Sequence, residues 1–231
     1  MERYEAELAV AYVRGCAKQG RIAPLPGRLA TAPAAELTRQ EFETILELAE
    51  KAQLRMYHFK KKNMLPRVQA VMGFLKSVQP ESLLDVGSGR GAFLYPFLLQ
   101  FPWVNVTSVD LLPHRVQTLQ ALTRGGVENL TALQQDICDW DAPDKSFDTV
   151  TLLEVLEHIP DVEQAIRAAV RLARRYVVVT VPSKEDNNPE HIHLLTKDIL
   201  TKLFADAGCT KLHFGGVNGH LIMMATIERE E

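Results

Sequence analysis

The sequence predicts an α/β fold: a doubly wound, mostly parallel sheet with helices on both faces and an antiparallel hairpin at its carboxyl end. Three observations carry this. From Ser82 onward, short β-rich runs alternate with helical patterns, the arrangement of parallel strands joined by crossover helices. After Val181 the order becomes helix, strand, turn, strand, and Asn218-Gly219 between the last two runs marks a hairpin of antiparallel neighbours. Before residue 79 the periodicity is helical, so residues 1–78 read as an N-terminal helical extension and 79–231 as the sheet domain.

Length and composition bound the rest. At 231 residues and 25.9 kDa the chain can bury one full core, removing roughly 70% of its unfolded surface from water. Apolar residues at 46% and charged residues at 24% are the mix of a globular protein, which excludes a disordered, collagen-like or disulfide-framework chain. With 26 basic against 29 acidic side chains, the net charge of −3 supplies no general attraction to nucleic acid or to an anionic membrane. No apolar run approaches the ~20 residues of a membrane helix. The opening Met1-Glu2-Arg3-Tyr4-Glu5 is too acidic for a signal or transit peptide. Cys16, Cys138 and Cys209 form neither a disulfide set nor a zinc knuckle, so a reducing, cytoplasmic location is expected.

Taken in order, residues 4–17 read as a short helix with Tyr4, Leu8, Ala11, Tyr12 and Val13 on one side. Residues 21–33 hold three prolines and a glycine and read as a linker or an ordered arm. Thr38 followed by Glu41 fits a capping box, which predicts a helix from about Leu37 to Phe59. The run Lys60-Lys61-Lys62 ends it, and Pro66 opens a second helix that closes near Lys76. Strands are expected at 82–86, 105–110, 130–134, 147–152 and 176–181, with helices at 92–100, 114–124 and 161–173 between them. A helix at 197–207 and hairpin strands at 210–215 and 220–227 complete the chain.

Asp85-Val86-Gly87-Ser88-Gly89-Arg90-Gly91 is a strand end running into a glycine-rich turn and then a helix. Glycines there permit positive φ and let a ligand approach the backbone with no Cβ between. The spacing alone also satisfies the dinucleotide fingerprint, because Gly87, Gly89 and Ala92 occupy its positions. Two acids separate the readings. Asp85 stands two residues before Gly87, a poor place for a carboxylate if a pyrophosphate docks there and a good one if the ligand carries an ammonium and a sulfonium. Asp110 ends the second strand nineteen residues past Gly91, where a carboxylate accepts both hydroxyls of a ribose. Asp136, just after the third strand, is placed to take a hydrogen bond from an adenine amino group.

Over roughly residues 80–229 this set resembles the class I S-adenosylmethionine-dependent methyltransferases. Residues 85–91 are similar to the first motif of that family, and Asp110 and the Asp136-Ile137 pair to its second and third acidic positions. Phe147-Asp148-Thr149-Val150, with Glu154 to Asp161, resembles the fourth. The resemblance implies a Rossmann-like seven-stranded mixed sheet with the last strand inserted antiparallel. It also implies S-adenosylmethionine as cofactor, a methyltransferase domain over 79–231, and the helices of 1–78 as its cap. Around the cofactor it places Asp85, Gly87, Ser88, Gly89, Gly91, Asp110, Leu111, Asp136, Ile137 and Leu153.

Methyl transfer from a sulfonium is an in-line displacement by an already activated reagent. Holding donor and nucleophile in line supplies much of the rate, and a base is needed only where the nucleophile must lose a proton. Glu154, Glu157 and His158, after the fourth strand, are the candidate catalytic residues. In a helical turn these i, i+3 and i+4 positions share one face, at the carboxyl edge of the sheet where ligands bind. Two carboxylates and an imidazole on that face suit a divalent ion such as Mn2+ or Mg2+. The segment is similar to the Glu-x-x-Glu-His of the small-RNA 3′-terminal ribose 2′-O-methyltransferases, which hold a metal there with one further histidine. It is equally similar to the matching segment of the O-methyltransferases of ubiquinone biosynthesis. His191 or His193, after the fifth strand, would be the fourth ligand, with His191 better matched in its spacing to Thr196. The same segment also serves without metal, its histidine packing the loop, and both readings stand.

The expected activity is methyl transfer to oxygen, or nitrogen, of a small-molecule acceptor; the alternative is a metal-dependent methyltransferase acting on the ribose of an RNA end. Arg55, Lys60, Lys61, Lys62 and Arg67 read either as a solvated helix end or as a clamp on a phosphate-bearing substrate. One short basic run in a net acidic chain weighs against RNA. A nicotinamide-dependent oxidoreductase is disfavoured by Asp85 and by a glycine loop that starts at residue 87. A binding module without catalysis would keep the same cofactor residues. His58, His114, His213 and His220 lack comparable context and read as surface or half-buried side chains.

Overall fold

Residues 3–185 and 187–228 are described in the computed structural model of the chain. The strands are β1 (Ser82–Val86), β2 (Asn105–Asp110), β3 (Leu130–Gln134), β4 (Phe147–Leu153), β5 (Ala173–Pro182), β6 (Lys211–Val217) and β7 (His220–Thr226). The α-helices are α1 (Ala6–Lys18), α2 (Arg28–Thr31), α3 (Arg39–Lys51), α4 (Pro66–Val78), α5 (Leu94–Gln100), α6 (Pro113–Gly125), α7 (Val162–Leu172) and α8 (Lys197–Asp206).

The strands make one sheet in the order β3-β2-β1-β4-β5-β7-β6. β1 pairs in parallel with β2 and β4, and β4 with β5, while β7 enters antiparallel between β5 and β6. The mixed sheet expected from the sequence is therefore formed. Asn218 (φ 45°) and Gly219 (φ 83°) give the hairpin two successive positive φ values, the requirement of a type I′ turn. β4 and β5 are buried on both faces, as an internal parallel strand must be: Val150, Leu152, Val177, Val178 and Val179 are all out of water. Ile166 and Leu172 of α7 and Leu200 and Phe204 of α8 share their core. Among the described residues no helix is long and apolar enough to cross a membrane.

The chain divides into two compact units. One gathers the chain through Asn63 with Leu112–Ala132; the other gathers Met64–Leu111 with the chain from Leu133 onward. In the first unit, α1 is buried on more than the one expected side, from Leu8 through Cys16 without a break. It crosses α6 at backbone contact, because a Cβ on Gly15 would lie 1.7 Å from the Ala121 carbonyl oxygen and one on Gly125 would lie 1.7 Å from that of Ala11. Arg14 is buried yet satisfied: its Nε donates to Leu29 O at 2.8 Å and its Nη2 to Ala32 O at 2.6 Å, and that holds the proline-rich arm in place as an ordered segment. The capping box of α3 is present, with Glu41 N–H donating to Thr38 Oγ1 (3.2 Å) and Thr38 N–H to Glu41 Oε2 (2.8 Å).

That helix does not run on to Phe59 as its pattern suggests. It stops at Lys51, Gln53 turns left-handed (φ 54°), and the chain restarts as a short 3-10 turn at Met56–Phe59. The break turns Phe59 inward, fully buried against Tyr12 with ring centroids 4.9 Å apart, and its carbonyl accepts the Glu5 N–H at 2.8 Å. Tertiary burial of one aromatic ring outweighs the propensity of an exposed helical continuation. In the second unit β5 begins at Ala173, earlier than expected, because Arg174 and Arg175 close on buried Asp148. Asp148 also accepts the Glu81 N–H at 2.8 Å. It stands at the amino end of β4 and locks strands together, far in register from the loop at the carboxyl end of β1.

Candidate functional site

Within the second unit, the carboxyl ends of β1, β2 and β4 carry the glycine loop and its acids. Asp85 lies opposite Thr151 in the β1–β4 register and is only 2% exposed. Thr151 Oγ1 donates to Asp85 Oδ1 at 2.9 Å, whereas Asp85 Oδ2 is buried with no hydrogen-bond partner. Burial pushes the Asp85 carboxyl up to about 7; the Thr151 hydroxyl opposes the rise and the nearby Asp110 charge adds to it. A buried carboxyl with one unsatisfied oxygen is costly, and an ammonium brought to that oxygen would restore the ionised form.

The three glycines differ in what their missing side chains permit. All have positive φ: 66° at Gly87, 58° at Gly89 and 77° at Gly91. A Cβ on Gly87 would meet Val155 Cγ2 at 2.8 Å, and one on Gly91 would meet the Tyr95 ring at 2.4 Å, so both are explained by the protein's own packing. A Cβ on Gly89 would meet only Gly87 O, at 3.8 Å. The absent side chain leaves the backbone open on that side, and the φ of 58° is one that glycine adopts without strain. Gly87 N–H donates to Val109 O at 2.7 Å and Gly91 N–H to Ser88 O at 2.9 Å, and these bonds shape the loop around Gly89.

Asp110 is buried at the end of β2, followed by Leu111, whose side chain is 58% exposed. Asp136 is half-buried, and its Oδ1 accepts the Cys138 N–H at 2.9 Å, which orients the carboxyl over its own turn. Ile137 beside it is buried. Leu153 ends β4 half-buried, opposite Thr180 of β5. The ten residues expected around a cofactor thus come from the carboxyl ends of adjacent strands and the turns that follow them.

The segment after β4 departs from expectation. Glu154 does not share a face with Glu157 and His158, because no α-helical turn follows the strand. Glu154 is left-handed (φ 59°) and precedes a 3-10 turn at Leu156–His158, so i, i+3, i+4 geometry does not apply. Its carboxylate faces Arg67, with Nε 3.8 Å from Oε1, and His220, with Nδ1 2.9 Å from Oε2. Glu157 and His158 are joined instead by His191: one candidate ligand atom of each lies within 4.8 Å of the others, and Glu157 is buried. The His158 and His191 rings have centroids 4.8 Å apart, and His158 Nδ1 lies 2.9 Å from Glu190 O, which leaves Nε2 for a ligand. His193 is committed elsewhere, its Nε2 3.0 Å from Ile159 O. Sequence reasoning gave Thr151 no role, read Arg67 as part of a basic run and His220 as a surface or half-buried side chain, and brought neither of the last two to Glu154. The signal for Thr151 was the strand register; for the other two there was none in local spacing, since α4, β4 and β7 meet only in the fold.

A family model described as a methyltransferase domain matches residues 56–213. The chain is similar to the ubiquinone biosynthesis O-methyltransferase of Rickettsia conorii, 36% identical over 89 residues that make up 38% of this chain and 30% of that protein. It is also similar to the ribosomal RNA small subunit methyltransferase G of Lactococcus lactis, 35% identical over 97 residues, 40% of this chain and 41% of that protein. The matched stretches thus span less than half the length of these curated relatives. Among solved structures, a SAM-dependent methyltransferase from Thermotoga maritima shares the fold with a TM-score of 0.56 at 17% identity, covering 71% of this chain and 89% of that chain.

Proposed function

Because the chain belongs to the methyltransferase-domain family, we propose that it binds S-adenosylmethionine at the carboxyl ends of β1, β2 and β4 and transfers the methyl group to oxygen, or nitrogen, of a small-molecule acceptor. The observation that carries this reading is the orphaned Oδ2 of buried Asp85, at the strand end that leads into the open backbone of Gly89. A cationic head fits there; a pyrophosphate does not. The bound cofactor supplies a methyl group on a sulfonium. Asp85 meets its ammonium, Gly89 lets it lie against the chain, Asp110 holds the ribose hydroxyls, and Asp136 with Leu111 and Ile137 frames the adenine. The net charge of −3 and the likeness to a ubiquinone biosynthesis O-methyltransferase support a small molecule over an RNA end. A cytoplasmic location fits three free cysteines.

Asp110→Ala tests the cofactor assignment. Loss of a carboxylate that accepts two hydroxyl hydrogen bonds costs about 1.5–3 kcal/mol, so calorimetry should show S-adenosylmethionine binding weakened more than tenfold. An unchanged Kd in a folded variant removes Asp110 from the ribose.

The clustering of Glu157, His158 and His191 favours a second element of this reading, a divalent ion held by these three. An ion there would polarise an acceptor hydroxyl and lower its pKa. Manganese titrated into the protein should bind at one site, seen by electron paramagnetic resonance, and Glu157→Gln should abolish that signal while S-adenosylmethionine affinity stays within about twofold, well under the tenfold that 1.4 kcal/mol represents. No bound manganese in the wild type returns the segment to loop packing.

A further inference from the structure

The net charge of −3 is the sum of two unlike parts. Residues 1–63 and 112–132, the first unit, carry 13 basic and 9 acidic side chains, whereas the second unit carries 13 basic and 20 acidic ones. The surplus of the first unit gathers in one strip of chain. Tyr4 and Lys60 form an antiparallel bridge, and Lys61 N–H donates to Arg3 O at 2.9 Å, which sets Arg3 beside the Lys60-Lys61-Lys62 run. Arg55 stands at the other end of the 3-10 turn Met56–Phe59. All five cations are exposed, and none has an ion-pair partner among the described residues. Arg28 and Arg39 of the same unit, in contrast, are paired with Glu41 at 3.0 Å and Glu43 at 2.8 Å. Glu5, whose N–H donates to Phe59 O, is the acid within the strip's own backbone pairing, and it is half-buried. Five like charges in water with no counter-charge attract anions.

The same strip presents an aromatic face. Tyr57 stands two residues from Arg55 and three from Lys60, and it is 45% exposed. Its ring lies on that of His58, with centroids 3.9 Å and planes 34° apart. An exposed ring flanked by cations takes a base on its face and phosphates on either side. We propose that this strip of the first unit binds single-stranded nucleic acid, with a base stacked on Tyr57 and phosphates on Arg3, Arg55, Lys60, Lys61 and Lys62. A duplex fits less well, because its bases are already stacked and offer no free face. An anionic bilayer also fits less well: Met56 and Phe59, the other apolar residues of the turn, are buried, which leaves nothing aliphatic to insert. Phosphate and base face are common to RNA and DNA, so the strip does not choose between them. The surface goes beyond the methyl-transfer reading: it holds a partner, and the proposed small-molecule acceptor is unaffected.

Fluorescence anisotropy of the full chain, with no S-adenosylmethionine present, tests this. The probes are fluorescein-labelled oligo(U) and oligo(dT) of about 20 nucleotides, longer than a single-strand site of ~4–16. Both should bind at low salt, with log affinity falling against log salt at a slope of about −3.5, or ~0.7 for each of five phosphates. Replacing Lys60, Lys61 and Lys62 together by Ala should bring the slope to about −1.4. Tyr57→Ala should weaken both probes about tenfold, whereas Tyr57→Phe, which keeps the ring, should stay within about twofold. Inorganic polyphosphate, which has the charge and no base, should bind the wild type and Tyr57→Ala equally. The replaced side chains are exposed, so far-ultraviolet circular dichroism should match the wild type throughout. Binding of one probe alone still supports the surface and names RNA or DNA as its source. A wild type that binds neither probe overturns the proposal, as does a Tyr57→Ala protein that binds both as the wild type does. Binding to phosphatidylglycerol vesicles in place of the oligonucleotides gives the strip to a bilayer and overturns it too.

Discussion

Gly15→Ala should lower the melting temperature by roughly 5–10 °C, although it places the best helix former in the middle of a helix. The new Cβ would sit 1.7 Å from the Ala121 carbonyl oxygen, about half a van der Waals contact, and the obstacle is backbone of α6. No rotamer change relieves it. α1 and α6 must separate, and separation opens gaps around Leu8, Val13, Leu119 and Leu122, all buried in this unit. Overpacking of this kind costs about 3 kcal/mol or more, offset by up to ~1 kcal/mol of helix propensity, for a net loss of about 2–3 kcal/mol. Gly125→Ala should behave alike, with its Cβ on Ala11 O, and the pair should be less than additive because one separation accommodates both. Gly73→Ala is the control: nothing lies within 4 Å of its Cβ in α4, so propensity alone acts and stability should rise by up to ~1 kcal/mol. Differential scanning calorimetry decides, and a Gly15→Ala protein that melts at or above the wild type would mean that the helices do not cross at backbone contact.

Gly89→Val should abolish S-adenosylmethionine binding, raising Kd by roughly 100-fold or more, equivalent to ~2.7 kcal/mol, while far-ultraviolet circular dichroism stays near that of the wild type. Two effects combine. Valine at φ 58° is strained, and its branched side chain fills the side of the loop that the ligand backbone contact needs. The neighbouring glycines cannot give this result cleanly. Gly91→Val drives into Tyr95 at 2.4 Å and Gly87→Val into Val155 at 2.8 Å, so both perturb the protein before any ligand arrives. Retained binding in a folded Gly89→Val protein would sink the assignment of the loop to the cofactor.

The sequence by itself determined those features whose causes are local. Alternation of β-rich and helical runs, Asn218-Gly219, and the Thr38–Glu41 box each encode their structure within a few residues, and the strands, the hairpin and the cap they predict are formed. The placement of the candidate cofactor residues was legible for the same reason: a strand must end before a glycine turn, so Asp85 and Asp110 fall at the ends of β1 and β2 and Gly89 in the turn after β1 by counting. What spacing could not decide was where a side chain turns once the backbone leaves a regular element. Glu154 was expected to line up with Glu157 by helical periodicity, yet a single left-handed residue redirects it to Arg67 and His220. α3 stops short of Phe59 because Tyr12, more than forty residues away, offers its ring a buried site. Gly15 lies against Ala121 and Gly125 against Ala11, more than 100 positions of chain apart, and each looks like an ordinary helix glycine until the other helix is placed against it. Local hydrogen bonding and periodicity act over a few residues and are written in the sequence; contacts between distant elements are set by which surfaces can be buried together, and only the tertiary structure decides that.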